Sequence, residues 1–481
     1  MEKPELSQHI PVKEKWMYGI AGLGQNILYV AINSFLMFYL TDVYGISPIA
    51  TGIMMMVARI WDAVNDPLMG LIVEGTRTKW GKLRPYILFS LVPIGLFTVL
   101  NYLAPNFGSA TLKLVWCYIV YIGWGMSYTM CDIPYWGLSA AMTGDTKERT
   151  NLLTMTRVLT MVGMAIGIVG IPVLIGVFGG ATTPQAAMHI SKVQNKMAYT
   201  ITAVICSIIG CSLLSLAFFG THERFDYGSK KASAKENLKI IFKNTPLMLV
   251  LLASILGFGR QMTGISGMYV AMWTFNSTNY YALLGGVMMV GTILAILITP
   301  LFLKKINKKQ LFIYSSLFGV AANVIMYIIG IIISHGTMIM QNASNIHACI
   351  FLLFFTSIAG GFFTILQTTM IGDSVDYLEW KTGVRAEGLC FSGQTFVTKL
   401  SSALCTFSLG LMLNATHYST AANTISQPKS ALTAIFQSVT LWPAVGCFLS
   451  IIPILWYTID DKKQKQYIDE INARKLKQTT M

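Results

Sequence analysis

The stretch LFIYSSLFGVAANVIMYIIGIIIS, residues 311–334, contains no charged side chain. A helix of this length crosses the hydrocarbon core of a bilayer, since each residue adds about 1.5 Å. Similar apolar blocks lie at 17–40 (MYGIAGLGQNILYVAINSFLMFYL) and 86–104 (YILFSLVPIGLFTVLNYLA). Only 12% of the 481 residues are charged, whereas soluble domains carry about 25%. The sequence therefore predicts an all-α polytopic membrane protein.

Length and hydropathy together predict twelve membrane-spanning helices. Their approximate limits are 16–40, 48–72, 85–104, 112–138, 153–178, 198–220, 246–274, 281–303, 310–334, 346–370, 388–414 and 433–458. The longest charged connection, THERFDYGSKKASAKENLKIIFKN (221–244), divides these spans into two sets of six. The predicted domains are a six-helix bundle at 1–220, a cytoplasmic linker at 221–245, a second six-helix bundle at 246–458 and a cytoplasmic tail at 459–481.

Lysine and arginine concentrate in alternate connections between the predicted spans. The rich segments include TRTKWGKLRP (76–85), the central connection, KKINKKQ (304–310) and the C-terminal tail. The positive-inside rule places these segments and both termini on the cytoplasmic side of the membrane. We expect this membrane to be the cell membrane, either a plasma membrane or an inner membrane. The net charge of +14 is thereby explained by topology, and nucleic acid is not an expected partner.

No catalytic or resident metal centre is predicted from the cysteines and histidines. The eight cysteines contain no CxxC pair, and the six histidines are isolated near span ends. We therefore expect neither an enzyme nor a bound cofactor.

The second span carries charges that an apolar helix normally lacks. WDAVNDPLMG (61–70) places Asp62 and Asp66 four residues apart, with Arg59 three residues before Asp62. Each charge near the bilayer centre costs about 2.5–3.5 kcal/mol, so such residues usually face the protein interior and serve a pathway. Positions i and i+4 share a helix face, with Asn65 beside them. Two adjacent carboxylates repel unless a proton or a cation relieves the repulsion.

This pattern predicts a site for a coupling cation, either Na⁺, Li⁺ or H⁺, at Asp62 and Asp66. Hard cations prefer oxygen ligands, which two carboxylates supply. The alternative is a structural ion pair between Arg59 and Asp62 that holds two helices together. Both interpretations hold if one acid pairs with Arg59 while the other binds the ion.

The fourth span adds polar groups in GWGMSYTMCDIPYWGL (123–138). Thr129 and Asp132 lie three residues apart, and Trp136 follows one turn later on the same face. A sugar site needs an aromatic ring for the apolar face of a pyranose and an acid that accepts hydrogen bonds from its hydroxyls. The alternative is that Trp136 anchors its helix at the membrane interface.

The cations within predicted spans also include Arg157, Lys399 and Arg260. An intramembrane lysine such as Lys399 is a candidate functional residue, and its expected partners are the acids of spans 2 and 4. The alternative for Lys399 is that its ammonium snorkels to the headgroups. Gln394 lies five residues before it and can share its cavity. Arg260 receives no assigned role.

Three segments carry a resemblance to a known family. NDPLMGLIVEGTRTKWGKLRP (65–85), YTMCDIPYWGL (128–138) and DSVDYLEWKTGVRAEG (373–388) resemble segments of the glycoside–pentoside–hexuronide:cation symporters, the melibiose-permease type of the major facilitator superfamily. The similarity covers nearly the whole chain. It implies a major facilitator fold whose two six-helix halves alternate access. It also implies Na⁺- or H⁺-coupled symport of a glycoside, oligosaccharide or pentoside into the cell, with sugar, cation and membrane lipid as partners.

The resemblance also implies roles for individual residues. The cation-binding residues are Asp62, Asn65, Asp66 and Thr129, with Na⁺ possible at Asp62 and Asp66. The substrate-binding residues are Asn26, Asp132, Trp136, Arg157, Gln394, Thr395 and Lys399. The gating residues, in cytoplasmic salt bridges at 74–84 and 373–385, are Arg84, Asp373, Asp376 and Arg385.

Departures from the family pattern bear on the substrate. Asn26, preceded by Gln25, stands where galactoside-transporting members have an essential aspartate, and Thr364 stands where they have a tryptophan. We therefore expect a neutral glycoside or pentoside first. A hexuronide such as a glucuronide is the alternative, because Arg157 and Lys399 are less compensated by acids. A lipid carrier or sensor on the same fold fits less well, since its cavity should be lined by apolar side chains.

Overall fold

The computed structural model describes residues 10–143, 146–180, 192–224, 243–277, 279–340, 342–383, 387–420 and 426–479. These residues form helices and connections, without a β-strand. Up to residue 224 the helices are α1 (Val12–Phe38), α2 (Pro48–Gly75), α3 (Arg84–Asn101), α4 (Ala110–Met142), α5 (Thr146–Phe178) and α6 (Lys192–Phe219). From residue 243 they are α7 (Thr245–Leu256), α8 (Met262–Tyr269), α9 (Asn279–Leu303), α10 (Lys308–Ile333), α11 (Ala343–Thr382), α12 (Glu387–Ala415), α13 (Lys429–Ser438), α14 (Leu441–Ile454) and α15 (Asp461–Thr479).

Twelve helical spans are present in the described part of the chain. Ten are long and apolar enough to cross a membrane, including α13 with α14 as one span, and the bent pair α7–α8 is an eleventh. The twelfth is α2, whose 28 residues are long enough to span. Its charged and amide side chains lower its hydropathy below that of the other spans. These elements match the twelve spans predicted from the sequence.

The first span of each half ends in a π-helical turn, at Tyr39–Val43 and at Val270–Thr274. The seventh span is also bent by 51° around a 3₁₀ segment, Phe258–Gln261. Glycines allow this segment to pack closely, because a Cβ at Gly259 would collide with the carbonyl oxygen of Trp442. Neither the bend nor the π turns follow from the apolar pattern of the sequence.

The chain forms two compact units, and neither is continuous in sequence. The first comprises Met1–Ser229, Ala271–Ala282 and Gly410–Pro428, and the second comprises Lys230–Val270, Leu283–Leu409 and Lys429–Met481. In the first unit, the hydroxyl of Tyr418 donates to the buried carboxylate of Asp42. The indole N–H of Trp273 donates to the Tyr418 oxygen over 2.6 Å. Late segments of the chain therefore complete the packing around the end of α1.

The second unit packs α11 against α7 and α10 around buried side chains such as Leu366 and Met370. The C-terminal helix α15 lies on the end of α11, where the rings of Trp380 and Tyr467 are 4.6 Å apart. The indole N–H of Trp380 donates to Glu470 over 2.6 Å. This hydrogen bond favours the charged carboxylate and lowers the pKa of Glu470.

The first unit depends on close contact between α1 and α5. A Cβ at Gly163 would collide with the carbonyl oxygen of Leu23 and would lie 2.8 Å from the Leu23 Cα. Because backbone atoms cannot move aside cheaply, Gly163→Ala is expected to lower the free energy of unfolding by about 1–3 kcal/mol. Thermal unfolding of the detergent-solubilised protein measures this change.

Gly170 is a matched control for Gly163, because it lies on the same helix and a Cβ there meets no atom within 4 Å. Gly170→Ala is expected to leave the unfolding temperature unchanged or to raise it slightly, since alanine favours helix. Equal unfolding temperatures for the two variants would show that α1 and α5 do not pack as described.

Candidate functional site

The acids of α2 have different partners in the first unit. The Asp62 carboxylate is buried and accepts a hydrogen bond from the Arg59 guanidinium over 3.3 Å. Arg59 also donates to the side-chain oxygen of Asn33 on α1. Asp66, one turn later, accepts from the Thr129 hydroxyl of α4 over 2.9 Å. The structure thus contains an ion pair at Asp62 and a carboxylate–hydroxyl pair at Asp66, on one side of α2.

Gly125 permits the close approach of α2 and α4. A Cβ at this position would lie 2.9 Å from Asp62 Oδ1. Because the helices are close here, Thr129, four residues and thus about one turn further along α4, reaches Asp66. Gly125 therefore allows two of the predicted cation-binding residues, Asp66 and Thr129, to come into contact.

Asn65 contributes an unusual group to the same part of α2. Its side-chain nitrogen is buried and has no hydrogen-bond partner in the structure. A buried amide without a partner costs free energy, so such a group is typical of a place where a ligand or water binds. In the described part of the chain, no group of three or more His, Cys, Asp or Glu side chains gathers as a metal site.

A second polar cluster joins α1, α4 and α5. Asp132 Oδ1 accepts hydrogen bonds from Gln25 Nε2 over 2.8 Å and from the Trp136 indole over 3.1 Å. The Arg157 guanidinium lies over the Trp136 ring, 4.3 Å from its centroid. This cation–π contact and the indole hydrogen bond fix the orientation of the tryptophan. An acid, an amide, an aromatic ring and a guanidinium are thus held together within the membrane-spanning helices.

Gln25 is a residue of this cluster that the sequence did not identify. The predicted residue, Asn26, instead donates to the carbonyl oxygen of Gly22 in its own helix. Gln25 is buried, and its Oε1 has no hydrogen-bond partner in the structure. Its spacing in the sequence was a signal for this position. Gln25 lies seven residues after Tyr18 and three residues after Gly22, which places it on the buried face of α1.

The remaining predicted substrate-binding residues belong to the second unit. Gln394 Nε2 donates to the Thr368 hydroxyl over 3.2 Å, which ties α12 to α11. Thr395 is exposed and donates to the carbonyl oxygen of Phe391 in its own helix. Lys399 is half-buried one turn beyond Thr395. All three lie on α12.

Three of the four predicted gating residues lie in the described part of the chain, and each has a polar partner in its own unit. In the first unit, the Arg84 guanidinium donates to the carbonyl oxygen of Phe218 through Nε and Nη2, over 3.1 and 2.6 Å. In the second, Lys308 Nζ lies 2.7 Å from both carboxylate oxygens of Asp373. Asp376 accepts a 3.5 Å contact from Gln464 of α15. Arg385 lies outside the described residues.

Asp373 is buried, so its ion pair with Lys308 makes a testable contribution to stability. Lys308→Met removes the ammonium that lies 2.7 Å from this buried carboxylate, which is expected to cost about 3 kcal/mol. Adding Asp373→Asn to this variant should recover much of the loss. Chemical or thermal unfolding in detergent gives the values for the double-mutant cycle.

The control for this cycle is Lys305→Met, because Lys305 is an exposed lysine in the preceding connection. Its loss is expected to change stability by less than about 0.5 kcal/mol. A Lys308 variant as stable as the Lys305 variant would show that the ion pair contributes nothing.

Comparison with known proteins identifies similar chains over nearly the full length. A family model described as MFS/sugar transport protein matches residues 17–461. The isoprimeverose transporter of Lactiplantibacillus pentosus is 30% identical, over 96% of this chain and 91% of that protein. The glucuronide carrier protein homolog of Escherichia coli (strain K12) is 26% identical, over 95% of each chain.

A crystal structure of a nucleoside transporter has a similar fold, with a TM-score of 0.62 at 14% identity. The match covers 92% of this chain and 100% of that one. Together with the family match, this similarity confirms the predicted fold class of twelve helices with a major facilitator fold.

Proposed function

This chain belongs to the MFS/sugar transport protein family, and we propose that it couples the uptake of a glycoside or pentoside to a cation. As a member of this family it is a multi-pass membrane protein, a secondary transporter of sugars and not an enzyme. The sugar, the coupling ion and the residues that bind each of them are proposals. Both termini are proposed to be cytoplasmic, because the positive-inside rule assigns the basic connections and the basic tail to the cytoplasmic side.

One observation carries the substrate proposal, namely the cluster of Gln25, Asp132, Trp136 and Arg157. Asp132 is held by two donors, so its carboxylate is preorganised to accept hydrogen bonds from sugar hydroxyls. Gln25 Oε1 is a buried acceptor without a protein partner, and a sugar hydroxyl would satisfy it. The indole of Trp136 offers an apolar surface for the sugar ring.

In the second unit, described by itself, Gln394, Thr395 and Lys399 are the proposed substrate-binding residues. These residues present an amide, a hydroxyl and an ammonium on one helix, which are groups that donate to sugar oxygens. Relatives named as an isoprimeverose transporter and a glucuronide carrier homolog are in keeping with a sugar as substrate. Asn26 in place of an acid counts against a galactoside. Neutral glycosides or pentosides are the first candidates, and a hexuronide is the alternative.

The coupling ion is proposed to bind at Asp66, Thr129 and Asn65, with Asp62 as the neighbouring acid. Asp62 pairs with Arg59, and Asp66 lies one turn further along α2 beside the Thr129 hydroxyl. Thr129 and Asn65 supply neutral oxygens, which Na⁺ or Li⁺ accept as ligands. A proton on Asp66 would satisfy the same charge requirement. Each ligand then binds better with the other present, a reciprocal coupling.

Uptake in membrane vesicles tests this proposal. Xylosides, glucosides, galactosides and glucuronides are presented with and without a Na⁺ gradient, at two pH values. We expect a neutral xyloside or glucoside to accumulate above its outside concentration only when an inward cation gradient is present. Sugar accumulation that depends on neither Na⁺ nor pH would contradict the assignment. The absence of any sugar uptake would contradict it too.

A glucuronide is the second candidate substrate, and Arg157 is the observation that favours it. Its guanidinium is exposed beside Trp136, where a sugar carboxylate could form a bidentate pair with it. The same panel separates the two candidates. A glucuronide substrate would be transported in preference to the uncharged glucoside, and Arg157→Gln would reduce that preference selectively.

A further inference from the structure

Two π-helical turns of the chain meet at one tyrosine in the first unit. The turn that ends the first span (Tyr39–Val43) contains Asp42, and the turn that ends the seventh span (Val270–Thr274) contains Trp273. The Tyr418 hydroxyl donates to the Asp42 carboxylate, and the Trp273 indole donates to the Tyr418 oxygen over 2.6 Å. We name these three residues the Tyr418 cluster. One hydroxyl therefore joins two π turns, which are often found at functional sites.

The Tyr418 cluster is enclosed by the protein. Asp42 is 6% exposed and Tyr418 is 7% exposed. The second oxygen of Asp42 accepts from the Thr41 hydroxyl over 2.7 Å. His417, immediately before Tyr418, has a left-handed backbone with φ of 57°, which residues other than glycine rarely adopt. Such conformations cost free energy and concentrate at sites that switch between two arrangements.

The Tyr418 cluster joins both sets of six spans. Asp42 follows the first span, whereas Trp273 ends the seventh and Tyr418 follows the eleventh. Transporters of this architecture alternate access by rocking the two sets of spans against each other. A contact between the two sets at one end of the spans therefore keeps that end closed, and it has to break before that end opens.

Two further contacts join early and late spans in the same unit. A Cβ at Gly410 of α12 would lie 2.5 Å from the carbonyl oxygen of Pro48, where α2 begins. The rings of Phe35 on α1 and Tyr281 on α9 pack edge to face, with their centroids 5.0 Å apart. The pairing of early with late spans thus occurs at three places, and the Tyr418 cluster is the polar one.

We propose that Tyr418 is the latch of an outer gate. The positive-inside rule assigns the start of α1 to the cytoplasm, so the end of α1 and the Tyr418 cluster lie at the outer face. The two hydrogen bonds of Tyr418 hold the first and seventh spans together while this face is closed. They break each time the face opens to admit a substrate, whichever sugar and ion are carried.

Distances between two spin labels in the full-length protein in detergent test the proposal. Ser47→Cys and Asn414→Cys place labels on exposed positions, one just before α2 and one near the end of α12. We expect a shorter separation for the closed face and a longer one for the open face. Tyr418→Phe keeps the ring and removes both hydrogen bonds, so it should raise the ratio of the longer to the shorter separation about tenfold. Labelling without the introduced cysteines gives the background from the native ones, seven of which are buried.

Trp273→Phe removes only the indole hydrogen bond of the Tyr418 cluster. It should raise the same ratio about fivefold, because a hydrogen bond between neutral groups is the weaker of the two. The double variant with Tyr418→Phe should resemble Tyr418→Phe alone, since the indole acts through the Tyr418 oxygen. Effects that multiply in the double variant would show that Trp273 acts independently, which would contradict the latch.

The matched control is Tyr18→Phe, which also removes a buried hydroxyl from the first unit. Tyr18 donates to the carbonyl oxygen of Tyr135 over 2.8 Å, and both residues belong to the first six spans. This bond does not join the two sets of spans, so its loss should leave the ratio within about twofold of the original.

The unfolding temperature of each variant separates a latch from fixed packing. A lower unfolding temperature of Tyr418→Phe with an unchanged ratio of separations would show that the Tyr418 cluster is fixed packing, and would overturn the proposal. An equal change of the ratio in Tyr18→Phe would overturn it as well. If Tyr418→Phe does not fold, Trp273→Phe alone serves, and an unchanged ratio in that variant would equally contradict the latch.

Discussion

Asp66→Asn is expected to abolish cation-driven accumulation of the sugar, lowering the ratio of internal to external substrate to about one. The Asp66 carboxylate accepts from Thr129 and lies one turn from Asp62, which already pairs with Arg59. Asparagine keeps the shape and one oxygen but removes the charge that a cation or proton would neutralise. Without that charge, binding of the ion no longer contributes free energy to binding of the sugar. Vesicle uptake with and without an imposed cation gradient gives the ratio.

Two controls accompany this experiment. Asp469→Asn makes the same chemical change at an exposed site on α15, and it should leave accumulation unchanged. Thr129→Ser keeps the hydroxyl that contacts Asp66 and should retain most of the coupling, whereas Thr129→Val should lose much of it. If the Asp66 variant still concentrates sugar at the original level, the coupling site lies elsewhere.

Asp132→Asn is expected to weaken sugar binding by about 100-fold or more. The carboxylate accepts from Gln25 and Trp136 at one oxygen, and hydrogen bonds to charged groups contribute about 1.5–3 kcal/mol each. The neutral amide of asparagine accepts weaker hydrogen bonds than the carboxylate does. If its NH₂ group turns toward Gln25 or Trp136, a donor faces a donor and no hydrogen bond forms. Binding of the transported sugar, followed by tryptophan fluorescence or equilibrium dialysis, measures the change.

Trp136→Phe separates the contact of the ring with Arg157 from the indole hydrogen bond to Asp132. Phenylalanine keeps a ring under the Arg157 guanidinium but cannot donate to Asp132, so it should weaken binding by less than Asp132→Asn does. The unfolding temperatures of both variants establish whether the first unit is intact. Sugar affinity within about threefold of the original in a folded Asp132→Asn protein would remove Asp132 from the proposed site.

The number and order of the spans were predictable because each depends on local composition. A run of about twenty apolar residues satisfies its backbone internally as a helix, whatever surrounds it. The π-helical turn at Tyr39–Val43 was not predictable in this way. Tyr39 is positioned there by a hydrogen bond to the carbonyl oxygen of Tyr102, 63 residues away. A helix defect that depends on such a distant partner leaves no periodic signal.

The candidate site was predictable in its charged members and less so in its neutral ones. Asp62, Asp66 and Asp132 stand out because charges are rare in apolar spans. Gln25 was passed over in favour of its neighbour Asn26, because one residue along a helix rotates a side chain by about 100°. Which of the two faces Asp132 depends on how α1 packs against α4. Glycines such as Gly22, which contacts Tyr135, determine that packing.

During synthesis, Asp42 leaves the ribosome 376 residues before Tyr418, the residue whose hydroxyl binds it. Contacts so distant in sequence form only after the intervening chain is inserted. The amino-terminal half of the nascent transporter therefore stays incompletely packed until the residues after α12 have been synthesised. A gene truncated after α6 should yield a fragment that membrane proteases degrade faster than the whole chain. Supplying the missing half from a second plasmid should lengthen the lifetime of that fragment.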